Sequence, residues 1–508
     1  MSKHLRASGQ YPLTARGDIN TYAVFAERFT RLIRAEGRVG AVLPTGIATD
    51  DTTKDFFAKL METRSMASFL GMDNEATIYF PGIDHRNKFG LITVGGTKVA
   101  TPSPIFTFSC SHIEDTRKPE RRFTLTDEDI RLLNPNTRTC AVFRTRADAE
   151  LTKKIYRRVP VLIDEARGRN DWGIRFLTMF HMANDSELFE TAPGHALDPL
   201  YEAKMMHHFD HRYATYEGAT QANVNEGSLP QPSEQQKQDP AFKVLPRYWL
   251  PTEAVDERLG VWRRRWLFAF RDIASNVVER TVIFSLLPRI GVGHTAPLMF
   301  FADDAQISLI ACLLANVNSL TFDYVTRQKV GGTHLTYFIL KQLPPLAPSF
   351  YTPEQVGFLV PRAIELACTA WDIQAFLDDV WREADEGYRA AIERQWSENR
   401  EATGGHTYDP PEWYTPPEDR CPLPPFKWDE GRRARLRAEL DAYYAKLYGL
   451  DERDLRYILD PTDVYGPDFP GETFRVLKEK EIARFGEYRT RRLVLEAWER
   501  LHQEGVLK

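Results

Sequence analysis

Apolar side chains recur at helical spacing near the start of the chain and then give way to short apolar runs. The helical spacing is carried by Tyr22, Phe25, Ala26, Phe29, Leu32 and Ile33. Glu36-Gly37 predicts the end of this helix, since glycine tolerates the left-handed geometry of a helix C-terminus. Residues 39–43 are continuously apolar, which is typical of a strand buried on both faces of a parallel sheet. Residues 49–52 offer N-cap chemistry for a second helix that runs to about Thr63.

Two further strands are predicted at residues 77–80 and 89–94, on either side of a polar turn at 82–88. The order helix, strand, helix, strand, strand indicates the closing part of an α/β sheet with an antiparallel edge hairpin. The stretch from Asp18 to Gly96 therefore has the pattern of half a catalytic domain.

The rest of the chain predicts an α+β region followed by helices. Residues 267–272 and 281–285 have the sequence pattern of strands. Residues 307–325 predict one long amphipathic helix. After residue 353 the chain is charged and mostly helical, with clear amphipathic runs at 364–384 and 432–447. We expect three domains: residues 1–145, 146–350 with a mobile insertion near 220–240, and a helical region at 351–508.

Composition restricts the function only weakly. A chain of 508 residues with a net charge of −5 has no global nucleic-acid signature, so any DNA binding must rest on local basic surface. The five cysteines are odd in number and widely spaced, which predicts cytosolic thiols. No apolar run reaches membrane-spanning length and the first residues lack a signal-peptide core, so we expect a cytoplasmic protein.

Two segments near the start resemble the N6-adenine DNA methyltransferases of restriction-modification and phage-defence systems. The nearest members are the large fused proteins of the type IIG class and those of the BREX and DISARM systems. Residues 20–46 are similar to the family's helix and apolar strand that follow the catalytic Asn-Pro-Pro-aromatic motif. Ile78-Tyr79-Phe80-Pro81 is similar to the segment whose phenylalanine packs on the flipped target adenine.

The resemblance implies a role for several residues. Phe80 becomes the candidate for base stacking, because an aromatic face offsets the stacking that an extruded base loses. A core aromatic at a strand end is the alternative interpretation of Phe80. Four residues are implied near the catalytic cleft: Asn20, Tyr22, Pro44 and Thr45.

Part of the family's pattern is missing. No glycine-rich loop for S-adenosylmethionine follows a predicted strand, and Asn134-Pro135-Asn136 lacks the second proline and the aromatic residue. Residues 5–12 are similar to the segment just after the catalytic tetrapeptide, so we expect the chain to begin inside a methyltransferase domain. The resemblance implies the sheet-closing half of a Rossmann-like domain, inactive alone. Another polypeptide would supply the N-terminal half that binds S-adenosylmethionine.

Residues 327–335 and 340–345 resemble the close of a target-recognition domain in type I specificity subunits and type IIG enzymes. Glycines let backbone N–H groups approach phosphates of double-stranded DNA, and basic side chains add charge-assisted contacts. A plain tight turn is the alternative for each glycine. The DNA-binding candidates are Arg271, His294, Arg327, Lys329, Gly331, Gly332, Thr333 and His334.

Rival chemistries find little support in the sequence. At most two histidines of the segment 207–211 can converge in a strand, and a His-Glu-x-x-His motif is absent, so we expect no metal site. Pro467-Asp468 is not followed by the Glu-x-Lys of a nuclease.

We therefore expect the DNA-recognition part of an N6-adenine methyltransferase. A stand-alone DNA-binding specificity subunit and a degenerate gene fragment stay open as alternatives. If half of the catalytic domain is missing, the strand at 39–43 should have an unpaired side.

Overall fold

The computed structural model describes residues 2–17, 19–75, 77–471 and 473–507. Asp18 and Ala76, inside the predicted half-domain, lie outside the described residues. The chain forms two compact units. The first unit comprises the described residues of 1–169, 341–344 and 461–473, and the second comprises those of 170–340, 345–460 and 474–508. The predicted division into three functional domains stays a prediction.

The first unit is a five-stranded mixed sheet with helices. Its strands are β1 (Arg38–Pro44), β2 (Met66–Asp73), β3 (Lys88–Gly95), β4 (Ile105–Cys110) and β5 (Phe123–Thr124). Its helices include α1 (Ser2–Ala7), α2 (Thr21–Leu32), α3 (Gly46–Thr49), α4 (Lys54–Glu62), α5 (Asp127–Leu133) and α6 (Arg146–Arg158).

The strand order in this sheet is β1-β3-β2-β4-β5. Strand β3 is antiparallel to both β1 and β2, and β4 is parallel to β2. Strands β1, β2 and β4 therefore point the same way and end at one edge of the sheet, which we call the carboxyl edge. The last residues of these three strands are Pro44, Asp73 and Cys110.

Strand β1 differs from the expectation of a strand buried on both faces. It is an outer strand that pairs with β3 alone among the described strands, and its alternate residues are exposed. The unpaired side expected for residues 39–43 is thus confirmed. The apolar run was misleading because an outer strand with one covered face needs apolar side chains at only every second position.

Two local expectations were wrong. Residues 77–80 form no strand, because the side chain of Asn74 holds the backbone of Phe80 in a loop. The missed strand is β2, which precedes that loop. Helix α2 ends at Leu32, and Gly37 does not adopt a left-handed backbone.

The second unit contains two small sheets and most of the helices. Its strands are β6 (Arg175–Leu177), β7 (Leu197–Tyr201), β8 (Tyr248–Pro251), β9 (Trp266–Phe270), β10 (Phe284–Pro288), β11 (Gly291–Val292) and β12 (Leu298–Phe300). The strand orders are β10-β9-β12-β6 and β11-β7-β8.

The remaining helices follow in chain order: α7 (Gln221–Glu226), α8 (Glu234–Gln238), α9 (Thr252–Leu259), α10 (Ile307–Val317), α11 (Leu320–Arg327), α12 (Tyr337–Leu340), α13 (Pro353–Ala367), α14 (Gln374–Glu383), α15 (Glu386–Ala402), α16 (Glu430–Leu447), α17 (Glu452–Leu459), α18 (Thr462–Tyr465), α19 (Arg475–Phe485) and α20 (Arg489–Gln503). Helix α18 belongs to the first unit.

Helices α7 and α8 lie in the predicted insertion, where the buried guanidinium of Arg212 donates to the carbonyls of Lys237 and Asp239, at 2.8 Å each.

The long helix expected at 307–325 is broken into α10 and α11. The Ser319 hydroxyl accepts the N–H of Phe322, and the buried Asp441 carboxylate accepts the N–H of Leu320 at 2.7 Å. These two caps satisfy backbone donors that a continuous helix would have paired internally. The run expected at 364–384 is likewise divided between α13 and α14.

Among the described helices, none alone combines the length and apolar composition needed to cross a membrane. The bent pair α10 and α11 passes that test only when its two members are joined.

Asp441 makes the stability of the second unit depend on pH. Burial raises the pKa of Asp441 from 3.8 to about 6. The folded state therefore holds this proton more tightly than the unfolded chain does. The resulting stabilisation is complete below about pH 4 and is lost as the pH rises through 6, at a cost of about 3 kcal/mol.

Asp441→Asn keeps an acceptor for Leu320 and cannot ionise. We expect its urea midpoint to exceed that of the parent at pH 7.5 and to approach it near pH 4. Asp304→Asn removes an exposed carboxylate of the same unit and serves as the control. A midpoint of Asp441→Asn that stays at or below the parent value at every pH would contradict this account.

Candidate functional site

The loop after β2 places Phe80 at the carboxyl edge of the first unit. The Phe80 ring meets the Phe89 ring edge-on, with centroids 4.9 Å apart and planes at 87°. Phe89 in turn pairs with Pro44 across the β1–β3 ladder. Through Phe89, Phe80 lies near the end of β1, at the edge where three parallel strands end. Its side chain is half-buried.

The loop is held by residues that the sequence analysis missed. The buried Asn74 side chain accepts the N–H of Phe80 at 3.2 Å and donates to the Phe80 carbonyl at 3.1 Å. The Tyr79 hydroxyl accepts the N–H of Ile113 at 2.9 Å, which ties the loop to the segment after β4. An asparagine just after an apolar run is a signal for such a loop, since its side chain readily bonds nearby backbone.

A second group of predicted residues lies around the turn after β1. A Cβ added to Gly46 would fall 2.3 Å from Asp50 Oδ2 and 3.0 Å from the Tyr22 hydroxyl. Burial, together with the negative charge of Asp50, raises the pKa of Tyr22 to about 12. The structure thus brings Tyr22 to the turn that follows Pro44 and Thr45, and Asn20 is exposed just before α2.

This edge does not fit S-adenosylmethionine by itself. The methyltransferase family that the sequence resembles binds this cofactor with a glycine loop, which lets the backbone approach the ligand. The glycine that follows β1, Gly46, already packs closely against Asp50 and Tyr22. Strands β2 and β4 are followed directly by Asn74 and Ser111, and not by glycine. We therefore derive no methyl-transfer step from this chain alone.

In the second unit, backbone hydrogen bonds bring three loops together. The N–H of Asp272 donates to the Thr295 carbonyl at 2.9 Å, and the N–H of Leu335 donates to the Asp272 carbonyl at 2.7 Å. The N–H of Ala274 donates to the Thr333 carbonyl at 3.0 Å. These bonds gather the predicted residues His294, Gly331, Gly332, Thr333 and His334, which we call the loop cluster.

The loop cluster presents polar groups and open backbone. Gly331 through His334 are exposed, and added Cβ atoms at the two glycines would meet nothing within 4 Å. The His334 Nδ1 atom lies 2.9 Å from the Asp272 carboxylate, and the ring of His294 stacks on that of His181 with centroids 4.8 Å apart.

Three of the predicted DNA contacts have side chains with little exposure: Arg327 is buried, and Arg271 and Lys329 are half-buried. Arg327 pairs with Asp323 at 2.9 Å and donates to the carbonyls of Val278 and Glu279 at 2.9 and 2.8 Å. Arg271 donates to the Met206 carbonyl, and burial lowers its pKa to about 10. Burial also lowers the pKa of Lys329 well below its ordinary value.

Arg327 instead helps to hold the loop between β9 and β10. The fully buried Asp323 carboxylate accepts from Arg327, from Arg280 at 2.6 Å and from the N–H of Thr281 at 3.2 Å. A buried carboxylate needs such partners, since its desolvation is otherwise uncompensated.

The three histidines of the segment 207–211 contact neighbouring groups of the protein itself. His208 Nε2 lies 2.8 Å from the Val282 carbonyl, His211 Nε2 lies 2.8 Å from the Asp372 carboxylate, and His207 stacks on Tyr213. Across the described part of the chain, no group of three or more His, Cys, Asp or Glu side chains is arranged to hold a metal ion.

Comparisons with known proteins give distant structural neighbours among restriction-modification enzymes. No protein-family model and no curated protein matches the chain. It is similar to the type IIG restriction endonuclease BpuSI, at 12% identity and a TM-score of 0.27, over 77% of this chain and 50% of that one. It is also similar to the type IIL restriction-modification enzyme MmeI in complex with DNA, at 10% identity and a TM-score of 0.36, over 80% and 52% of the two chains.

The chain spans about half the length of each of these two enzymes. TM-scores as low as these do not establish a shared fold.

The burial of Arg327 predicts that its loss affects stability. Arg327→Ala leaves Asp323 short of a partner and two loop carbonyls without a donor, so the free energy of unfolding should fall by about 3 kcal/mol or more. Arg263→Ala, at an exposed arginine of the same unit, should change it by less than about 0.5 kcal/mol. Urea unfolding of the two variants makes the comparison. Equal midpoints for parent and Arg327→Ala would place the guanidinium in solvent and restore it as a DNA contact.

Proposed function

We propose that this chain is the DNA-recognition part of a site-specific DNA N6-adenine methyltransferase from a restriction-modification or phage-defence system. A second polypeptide would supply the half that binds S-adenosylmethionine and the catalytic tetrapeptide. The observation that carries the proposal is an aromatic side chain, Phe80, held by a fixed loop at the carboxyl edge of a sheet whose outer strand β1 has a free side.

The position of Phe80 suits a flipped base. In open α/β sheets, ligands bind in the crevice outside the carboxyl ends of the strands. An enzyme that modifies a base must extrude it from the duplex, and an aromatic face recovers part of the lost stacking. Asn74 and Tyr79 would act as positioning residues, because they fix the loop that carries Phe80.

The loop cluster of the second unit would contact the duplex. Exposed Gly331 and Gly332 allow backbone N–H groups to approach phosphate, and His334, Thr333 and His294 offer side-chain donors and acceptors for base edges. Since the overall charge is −5, such local contacts must carry the recognition.

A DNA-binding specificity subunit that takes no part in methylation is the second candidate. It is favoured by the loop cluster, which lies wholly in the second unit and so needs no catalytic residue. The two candidate functions predict different effects on DNA binding when the Phe80 ring is removed.

Selection from a random duplex library tests the shared part of both candidates. We expect the full chain to enrich one sequence motif that contains an adenine. His334→Ala should relax the selection at one or more positions by about 1–3 kcal/mol. His85→Ala, at an exposed histidine of the first unit, is the matched control and should recover the parent motif. A library that shows no enrichment would overturn the proposed function.

Phe80 distinguishes the methyltransferase from the specificity subunit. In a duplex whose target adenine is mispaired, extrusion is easier and the stacking contact dominates. Phe80→Ala should weaken binding to this duplex by about 1–3 kcal/mol, which is roughly 5- to 150-fold, and Phe80→Tyr should retain it.

Fluorescence anisotropy with the selected motif measures these affinities. Phe25→Ala removes an exposed ring elsewhere in the first unit and controls for general aromatic loss. If Phe80→Ala binds paired and mispaired duplexes as the parent does, the specificity subunit becomes the better account.

A further inference from the structure

We infer that the free edge of β1 and the outer face of α2 form a docking surface for an acidic β-strand of a second polypeptide. The inference rests on the proposed function, which requires a partner. It adds where that partner binds and what chemistry its binding segment carries. Helix α2 packs against β1, so the two elements offer adjoining surfaces.

The register of β1 shows which backbone groups are available. The N–H of Thr45 donates to the Lys88 carbonyl at 3.2 Å, and the N–H of Gly96 donates to the Gly37 carbonyl at 2.9 Å. Because an antiparallel ladder alternates, the odd-numbered residues from 37 to 45 face β3. The N–H and carbonyl groups of Arg38, Gly40 and Val42 therefore point away from the sheet.

This edge lacks the features that usually prevent strand pairing. Natural edge strands are blunted by bulges, central charges or prolines. The β1–β3 register runs without a bulge, and the arginine and the proline of β1 stand only at its two ends. Between them Gly40 is exposed and Val42 is 54% exposed, so an incoming strand meets open backbone and an apolar side chain.

Helix α2 is apolar on the side that faces away from its own unit. Ala23, Ala26 and Glu27 are buried. On the opposite side Phe25, Phe29 and Leu32 follow at i, i+4 and i+7, with Phe25 59% and Leu32 65% exposed. A helix that is apolar on both sides is normally buried on both, so a second surface should cover this one.

The charges around the surface indicate an acidic partner. Arg28, Arg34 and Arg38 are exposed and form no ion pair within the described ranges. A second copy of this chain would bring the same arginines toward its own, which disfavours self-association. A lipid surface could attract the arginines but could not pair with the β1 backbone.

A random display library of peptides about 12 residues long, roughly twice a typical strand, is the probe. The full chain is used as bait. The test variant is Gly40→Pro, which removes one outward N–H and breaks no bond to β3. Gly40→Ala is the matched control, because a Cβ at this position meets nothing within 4 Å and the N–H is kept. Urea midpoints confirm that both variants fold.

We expect the library to enrich peptides that alternate β-branched residues with Asp or Glu. They should bind the parent and Gly40→Ala alike and bind Gly40→Pro about tenfold more weakly, as the loss of one backbone hydrogen bond predicts. Enrichment of nothing, enrichment of basic peptides, or equal binding to Gly40→Pro would overturn the inference. So would a dimer of this chain that Gly40→Pro dissociates, or binding to phosphatidylserine vesicles in place of peptides.

Failure here is separable from failure of the proposed function. The duplex selection described above does not depend on β1. A DNA motif recovered without strand binding removes only the docking surface, whereas strand binding without a DNA motif removes the proposed function.

Discussion

The first unit depends on one arrangement of hydrogen bonds: β3 lies between β1 and β2 and is antiparallel to both. Since β3 uses both of its edges, β1 and β2 must run parallel to each other, and their carboxyl ends meet at one edge of the sheet. That edge carries Pro44 and, through Phe89, the ring of Phe80. Among the described strands, none pairs with the other side of β1, so the candidate site and the docking surface both follow from this ladder.

Two arginines of the second unit serve its internal structure. Arg280 and Arg327 converge on the buried Asp323 and thereby fix the segment between β9 and β10. The loop cluster is offered to a ligand: Gly331, Gly332 and His334 are exposed and His294 is half-buried. Recognition by this cluster would rely on a few polar groups in fixed loops. This agrees with the net charge of −5.

N-cap chemistry located helix α4, and the hydrophobic pattern predicted α2, whose covered face repeats at helical spacing. The same pattern predicted α16, although its residues 440–445 are all buried. It located β1 but not its exposure, which depends on how many strands pair with it. It failed at residues 77–80, where one side chain, Asn74, redirects the backbone. The burial of Arg327 had a signal that was overlooked: Asp323 stands four residues earlier, the spacing of a helical ion pair.

Residue-resolved amide hydrogen exchange along β1 in the free chain tests the central claim most directly, because exchange reports which N–H groups are hydrogen-bonded. An outer strand with this register predicts slow exchange at Val39, Ala41 and Leu43 and fast exchange at Arg38, Gly40 and Val42. Slow exchange at all six amides would mean that the edge is already paired. The free side of β1, the partner that it is meant to bind and the shared catalytic sheet would then have to be abandoned.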